Sequence, residues 1–129
     1  MTRLRVAAAA LNQTPLDWPG NEERIRAALR AAREQGVDLL CLPELCIPGY
    51  GCEDAFHGTH VVERSERVLA SLLPETQGLV VAFGLPILYH HALFDCAVLV
   101  ADGKPLGIVA KQHLAGDGLH YEPRWFKPW

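Results

Sequence analysis

Two ionisable residues stand where chemistry can be done. Glu44 follows the apolar run Val37-Asp38-Leu39-Leu40-Cys41-Leu42 after one proline, and Lys111 directly follows Leu106-Gly107-Ile108-Val109-Ala110. Each run reads as a strand, so each residue sits at a strand's carboxyl end, where open α/β sheets gather their ligands. An acid and an amine at the rim of apolar surface are both desolvated. Burial raises a carboxyl's pKa and lowers an ammonium's, and mutual proximity opposes both shifts. The pair suits a general base beside a fixed positive charge, and it equally suits a structural ion pair at the edge of a sheet.

The elements that must position them come next. Arg3 to Leu11 reads as a first strand, apolar throughout from Val6 and so expected to be buried on both faces. Asn21 to Gln35 reads as a helix, with Asn21 as its cap, Glu22 and Glu23 in the first turn and Gly36 to close it. Ile25, Ala28, Leu29 and Ala32 make its apolar stripe, and the arginines on its other faces read as solvated surface. Val37 to Leu42 is a second strand and Thr59 to Leu73 a second helix, stopped by Pro74. Further strands are expected at Leu79 to Phe83, Leu93 to Val100 and Leu106 to Ala110, the last two joined by a turn at Asp102-Gly103. The order β-α-β-α-β-β-β predicts a layered α/β fold with a mixed sheet. With so few helices, one face of that sheet is expected to be poorly covered. The residues after Ala110 carry no strand or helix period, and the chain reads as part of something longer.

Composition bounds the function. The chain has 129 residues, 50% of them hydrophobic and 21% charged, and its 12 Lys and Arg against 15 Asp and Glu leave a net charge of −3. This suits one domain with a real core and argues against a nucleic-acid or anionic-membrane partner, which would want a basic surface. No apolar run approaches the length of a membrane span. The apolar stretch Val6 to Leu11 is too brief for a secretory signal, so a cytoplasmic protein is expected. Cys41, Cys46, Cys52 and Cys96 read as reduced thiols, Cys41 and Cys96 as small buried hydrophobes. The tight cysteine pair that opens a zinc site is absent, although His57 and His60 follow Cys52, and no metal ligand is assigned. No glycine-rich phosphate loop occurs, so no cofactor is expected in this segment.

The local strings say more. Pro43-Glu44-Leu45-Cys46-Ile47-Pro48-Gly49-Tyr50 and Lys111-Gln112-His113-Leu114 resemble the glutamate and lysine motifs of the nitrilase superfamily of carbon–nitrogen hydrolases. With Gly51-Cys52-Glu53-Asp54-Ala55-Phe56 after the first and Ala115 to Phe126 after the second, the chain is most similar to the amino-terminal glutaminase domains of glutamine-dependent NAD synthetases. The resemblance covers the whole chain. It implies a nitrilase-like α-β-β-α sandwich, of which residues 1–129 would be the amino-terminal part.

The resemblance also implies roles. Glu44 would be the general base and Lys111 the group that stabilises an oxyanion. Glu122 would be the second glutamate that orients Lys111 or the substrate, and Tyr50 would line a glutamine pocket. L-Glutamine is the implied substrate. Ammonia would pass to a separate synthetase domain that uses ATP and Mg to amidate deamido-NAD, and the whole enzyme would be a homo-oligomer. Two departures stand out. Asp117 lies where the family commonly carries a substrate-holding tyrosine, and the nucleophilic cysteine of the family lies beyond Trp129. Cys52-Glu53-Asp54-Ala55 looks like a nucleophile motif but belongs to the first motif's own Glu-Asp, and Cys46 points away from Glu44 in an extended segment. On these residues a stand-alone amidase for another small amide and a non-catalytic half-fold binding module both stay open. The second would need a partner for its bare apolar face.

Overall fold

Helix α1 begins before Asn21, because Asp17 caps it. The computed structural model, which describes residues 3–129, places α1 at Trp18–Glu34, with the Asp17 carboxylate accepting from the Gly20 N–H at 3.2 Å. Met1 and Thr2, at the head of the segment read against a secretory leader, lie outside the described residues. Pro19 fits the first turn, where its missing N–H costs nothing. Asn21 therefore falls inside the helix and is fully buried rather than capping it. Its amide donates to the carbonyls of Thr14 and Ile47 at 2.8 and 3.2 Å and accepts from the Thr14 N–H at 2.9 Å. Ile25, Leu29 and Ala32 are buried, as the stripe predicts.

The remaining elements are β1 (Val6–Ala8), β2 (Leu39–Cys41), α2 (Thr59–Leu72), β3 (Val80–Tyr89), β4 (Ala92–Ala101) and β5 (Lys104–Ala110). Single 3₁₀ segments at Tyr50–His57, Leu73–Thr76 and Glu122–Arg124 complete them. The five strands lie in chain order, β1 to β3 parallel and β3 to β5 antiparallel, so the sheet is mixed as expected. Val68 and Leu72 of α2 join Ile25 and Leu29 of α1 over Leu40, Val81, Phe83, Leu85, Val98 and Val100. All of these alternate onto one face of the sheet. The result is one helical layer on one sheet, as half of an α-β-β-α sandwich would be.

Three expectations are corrected. The first strand is short and not buried on both faces: only Val6–Ala8 pairs, at the sheet's edge, and Val6 is 62% exposed. Its apolar run has a neighbour on one side and a helical layer on one face only. The strand read as Leu79 to Phe83 runs on to Tyr89 and forms a continuous hairpin with β4. Gly84 and Pro86 read as breakers, but β2 pairs with β3 only through Ala82. Beyond that point Pro86 has no strand on its outer side to deprive of a hydrogen bond. The turn is His90-His91, both at positive φ (45° and 62°), a pair with no strong turn signature. Lastly, Cys41 is exposed, whereas Cys96 is buried as read.

Candidate active site

The face of the sheet away from the helices carries the site. Phe83 and Leu85 point into the core, so Gly84 and Pro86 face the other way, and with them their β4 partners Ala97 and Asp95. An open cleft of about 310 Å³ lies here, walled by Cys41, Ala82, Gly84 and Ala97 and rimmed by Glu44, Asp95 and Lys111.

Glu44 is delivered by a loop with no room to move. A Cβ on Gly84 would lie 2.4 Å from the Leu45 nitrogen, 2.5 Å from the Pro43 oxygen and 2.9 Å from the Glu44 carbonyl carbon. Only glycine lets that loop pass over β3. The Ile47 N–H donates to the Gly84 carbonyl at 3.2 Å, and the Gln13 amide donates to the Cys46 carbonyl at 2.6 Å. Asn21 holds the Ile47 carbonyl from the helix side. Leu45, at φ 48°, turns its side chain down into a second apolar cluster with Cys52, Phe56, Val61 and Phe126, leaving Glu44 facing the cleft.

Lys111 leaves the end of β5 with its N–H on the Asp95 carbonyl at 2.9 Å. Its ammonium donates to Glu44 Oε1 at 2.6 Å and lies 3.0 and 2.9 Å from Oε1 and Oε2 of Glu122. Glu122 is 2% exposed. It also accepts from the Tyr50 hydroxyl at 2.7 Å and the Ala115 N–H at 2.7 Å. The Glu122–Arg124 turn is pinned by buried Phe126 and by Arg124, whose guanidinium grips Asp54 with two bonds of 2.6 and 2.8 Å.

These contacts set the charges. Burial opposes the charge on Lys111, but hydrogen bonds and attraction from Glu44 and Glu122 outweigh it and hold the ammonium above its ordinary range. For Glu122 burial likewise opposes ionisation, and the donors Lys111, Ala115 and Tyr50 overcome it, so its pKa is lowered. The Tyr50 phenol is pushed up to about 12 by burial, by its bond to Glu122 and by the Glu122 and Glu44 charges. It remains a hydrogen-bond donor across the neutral and alkaline range.

Glu44, Lys111, Glu122 and Tyr50, widely separated in the chain, are thus brought into one hydrogen-bonded group. Sequence reasoning missed Asp95, whose signal was a lone carboxylate inside the apolar run Leu93 to Val100. It also missed His120, whose Nδ1 lies 3.3 Å from the Tyr50 hydroxyl, and the need for Gly84. Oxygens of Glu44, Asp95 and Glu122 lie within 4.8 Å of one another, a hard donor set of the kind Mg²⁺ or Ca²⁺ takes. The Lys111 ammonium already supplies a cation to two of these carboxylates.

The cysteines stand apart from this group. The Cys52 thiol donates to the Pro48 and Gly49 carbonyls at 3.3 and 3.0 Å, and that of Cys46 lies 3.7 Å from the Gly84 carbonyl. Burial pushes Cys46 up to about 12 and Cys52 and Cys96 each to about 11. A nucleophilic thiol wants the opposite shift. Chemically, the arrangement offers an anionic acceptor at the cleft's rim and, hydrogen-bonded to it, a cation held by a second, buried carboxylate.

The chain matches the carbon-nitrogen hydrolase family model over residues 5–128. It is 40% identical to the glutamine-dependent NAD(+) synthetase of Rattus norvegicus and 37% identical to that of Homo sapiens, each across 98% of this chain. The chain spans only 18% of the length of these curated relatives. A solved glutamine-dependent NAD(+) synthetase from Cytophaga hutchinsonii superposes with a TM-score of 0.95 at 42% identity, over 98% of this chain and 22% of that one. An amidase from Nesterenkonia sp. superposes at 0.85 and 26% identity, over 98% of this chain and 48% of its own. The sheet with its single helical layer, the group around Lys111 and these matches lead to one conclusion: the chain belongs to the carbon–nitrogen hydrolase family.

Proposed function

We propose that residues 1–129 are the amino-terminal part of a glutaminase domain of the glutamine-dependent NAD synthetase type. The observation that carries the reading is the Lys111 ammonium, fixed between Glu44 and Glu122 at the rim of the cleft. In this reading a cysteine thiol supplied from outside residues 1–129 gives its proton to Glu44, and the thiolate attacks the carboxamide carbon of L-glutamine. Negative charge develops on the carbonyl oxygen, and the Lys111 N–H donors stabilise it. Glu44 returns the proton to the departing nitrogen, ammonia leaves, and a thioester remains. Glu44 then takes a proton from water, the hydroxide attacks the thioester, and glutamate and the thiol are released. Glu122 holds Lys111 in place and Tyr50 lines the substrate pocket. A solved amidase of the same family carries the acetamide moiety of fluoroacetamide on its active-site cysteine, which supports covalent chemistry of this kind.

The ammonia would be used by a separate synthetase domain for ATP-dependent amidation of deamido-NAD. ATP and Mg have no seat among the residues described here. The names of the most similar relatives favour glutamine as substrate. The Nesterenkonia amidases favour the second reading, hydrolysis of another small amide.

Two measurements decide. The mass of the intact protein from cells, with the coding sequence read past Trp129, is expected to reveal a further cysteine and then an ATP-using domain. A cysteine followed by the end of a single domain would support the amidase, and a stop at Trp129 would overturn both. In the intact protein, Glu44→Gln is expected to abolish glutamine hydrolysis while ammonia-driven synthesis continues. Equal loss of both would remove Glu44 from its role.

A further inference from the structure

Strand β4 carries a carboxyl that these roles leave unused. Asp95 is 4% exposed, and its Oδ2 is buried with no hydrogen-bond partner. The donors around it are already committed. The ammonium of Lys111 serves Glu44 and Glu122, and the Tyr50 hydroxyl and the Ala115 N–H serve Glu122. The Lys111 N–H goes to the Asp95 carbonyl, not to its side chain. The charged and titratable groups that face Asp95 are Glu44 from the loop after β2, Lys111 after β5, Glu122 from the 3₁₀ turn, and the Cys96 thiol beside it on β4. Strand β3 presents only Pro86 opposite. Oxygens of Asp95, Glu44 and Glu122 lie within 4.8 Å of one another. Carboxylates that close, served by a single ammonium, repel unless one keeps a proton. The atom left without a donor marks which one keeps it.

We propose that Asp95 is a positioning residue: a carboxylic acid that retains its proton in the folded protein and donates it to the Glu44 carboxylate, holding that carboxylate against Lys111. Nothing is transferred, since the proton stays on Asp95 and serves as the missing donor. Burial is the largest cause holding this proton, followed by the bond to Glu44 and the Glu44 charge, with Glu122 adding and Lys111 opposing. Together they push the Asp95 carboxyl up to about 8. Above that pH the donor becomes an anion facing an anion, and Glu44 loses its hold. The link to Glu44's work in catalysis rests on the function proposed above, but the proton on Asp95 does not.

Stability carries the same signature. The unfolded chain releases this proton near 3.8, whereas the native protein holds it to about 8. Between those values the native state binds more protons, so the contribution of Asp95 to stability falls as pH rises across that window and is level above it.

The test is an infrared difference spectrum of the intact protein, wild type minus Asp95→Asn, followed across the pH range. A neutral carboxylic acid C=O band is expected at neutral pH, absent from the variant and bleaching with a midpoint near 8. No such band, or bleaching in the ordinary carboxylate range, overturns the proposal. A thermal-stability series is expected to lose its alkaline decline in Asp95→Asn, and a decline unchanged from wild type counts against it.

On amide hydrolysis, Asp95→Ala is expected to lower kcat about tenfold with KM little changed, the scale of one lost charged hydrogen bond. Asp95→Asn, whose amide still donates, is expected to recover most of that loss and to show no inflection near 8. A variant that keeps the inflection overturns the proposal. If the intact wild type hydrolyses no amide, the functional reading fails, and the infrared and stability arms still decide the proton on Asp95.

Discussion

Tyr50 gives its one hydroxyl hydrogen to Glu122 at 2.7 Å, and Glu122 keeps two other donors, Lys111 and Ala115. Removing one hydrogen bond to a charged group costs about 1.5 kcal/mol. Tyr50→Phe in the intact protein is therefore expected to lower kcat/KM for glutamine roughly tenfold while leaving the fold intact. A loss of several orders of magnitude would mean that Tyr50 does chemistry and does not merely shape the pocket. Glu44, Lys111, Tyr50 and Glu122 were legible as candidates because the motifs around them are local strings. Asp95 was not, since nothing in a one-dimensional pattern says which carboxylates will meet across strands. His120 was hidden for the same reason: its partner Tyr50 lies in another motif.

At the scale of elements, the loop from Pro43 to Gly49 matters most, because it delivers Glu44. It is clamped from beneath by Gly84 of β3 and from the side by Asn21 of α1 and by Gln13. Gly84→Ala puts a methyl within 2.4 to 2.9 Å of backbone atoms that cannot swing away. Overpacking of this kind costs about 1–3 kcal/mol. The variant is expected to melt earlier and to lose hydrolysis out of proportion to the lost stability, because the displaced atoms belong to Glu44 and its neighbours. An activity loss that vanishes once temperature is lowered to match stability would show that the clamp serves the fold alone. In the sequence Gly84 reads as a strand breaker, and Asn21 as a cap. Both readings followed propensity, and in both cases a loop brought in from elsewhere decided the residue's use.

For the molecule as a whole, the telling feature is the uneven cover of the sheet. Leu106, Ile108 and Val109 of β5 are 64, 57 and 60% exposed. β5 is also an edge strand. Apolar side chains on an open edge recruit other chains. The 129-residue chain expressed alone is expected to self-associate at micromolar concentration in sedimentation velocity, and Leu106→Lys with Ile108→Lys to shift it toward monomer. A wild-type chain that sediments as a monomer would remove this expectation. Among the described residues, no helix is long and apolar enough to cross a membrane.

Local physics was enough for the order of elements, the apolar stripes of both helices, the mixed sheet and the motif residues. Each depends on neighbours in the chain: periodicity, a proline stop, a short string. The caps, the length of the β3–β4 hairpin, the exposure of β1 and Cys41, the clamp of Gly84 and the place of Asp95 depended on what lay alongside in space. β1 is apolar whether or not a second layer covers it, and Pro86 is a breaker only where a strand wants its N–H. Burial and hydrogen-bond partners are properties of the packed chain, so a residue whose role is set by a distant neighbour carries no mark of that role in its own segment.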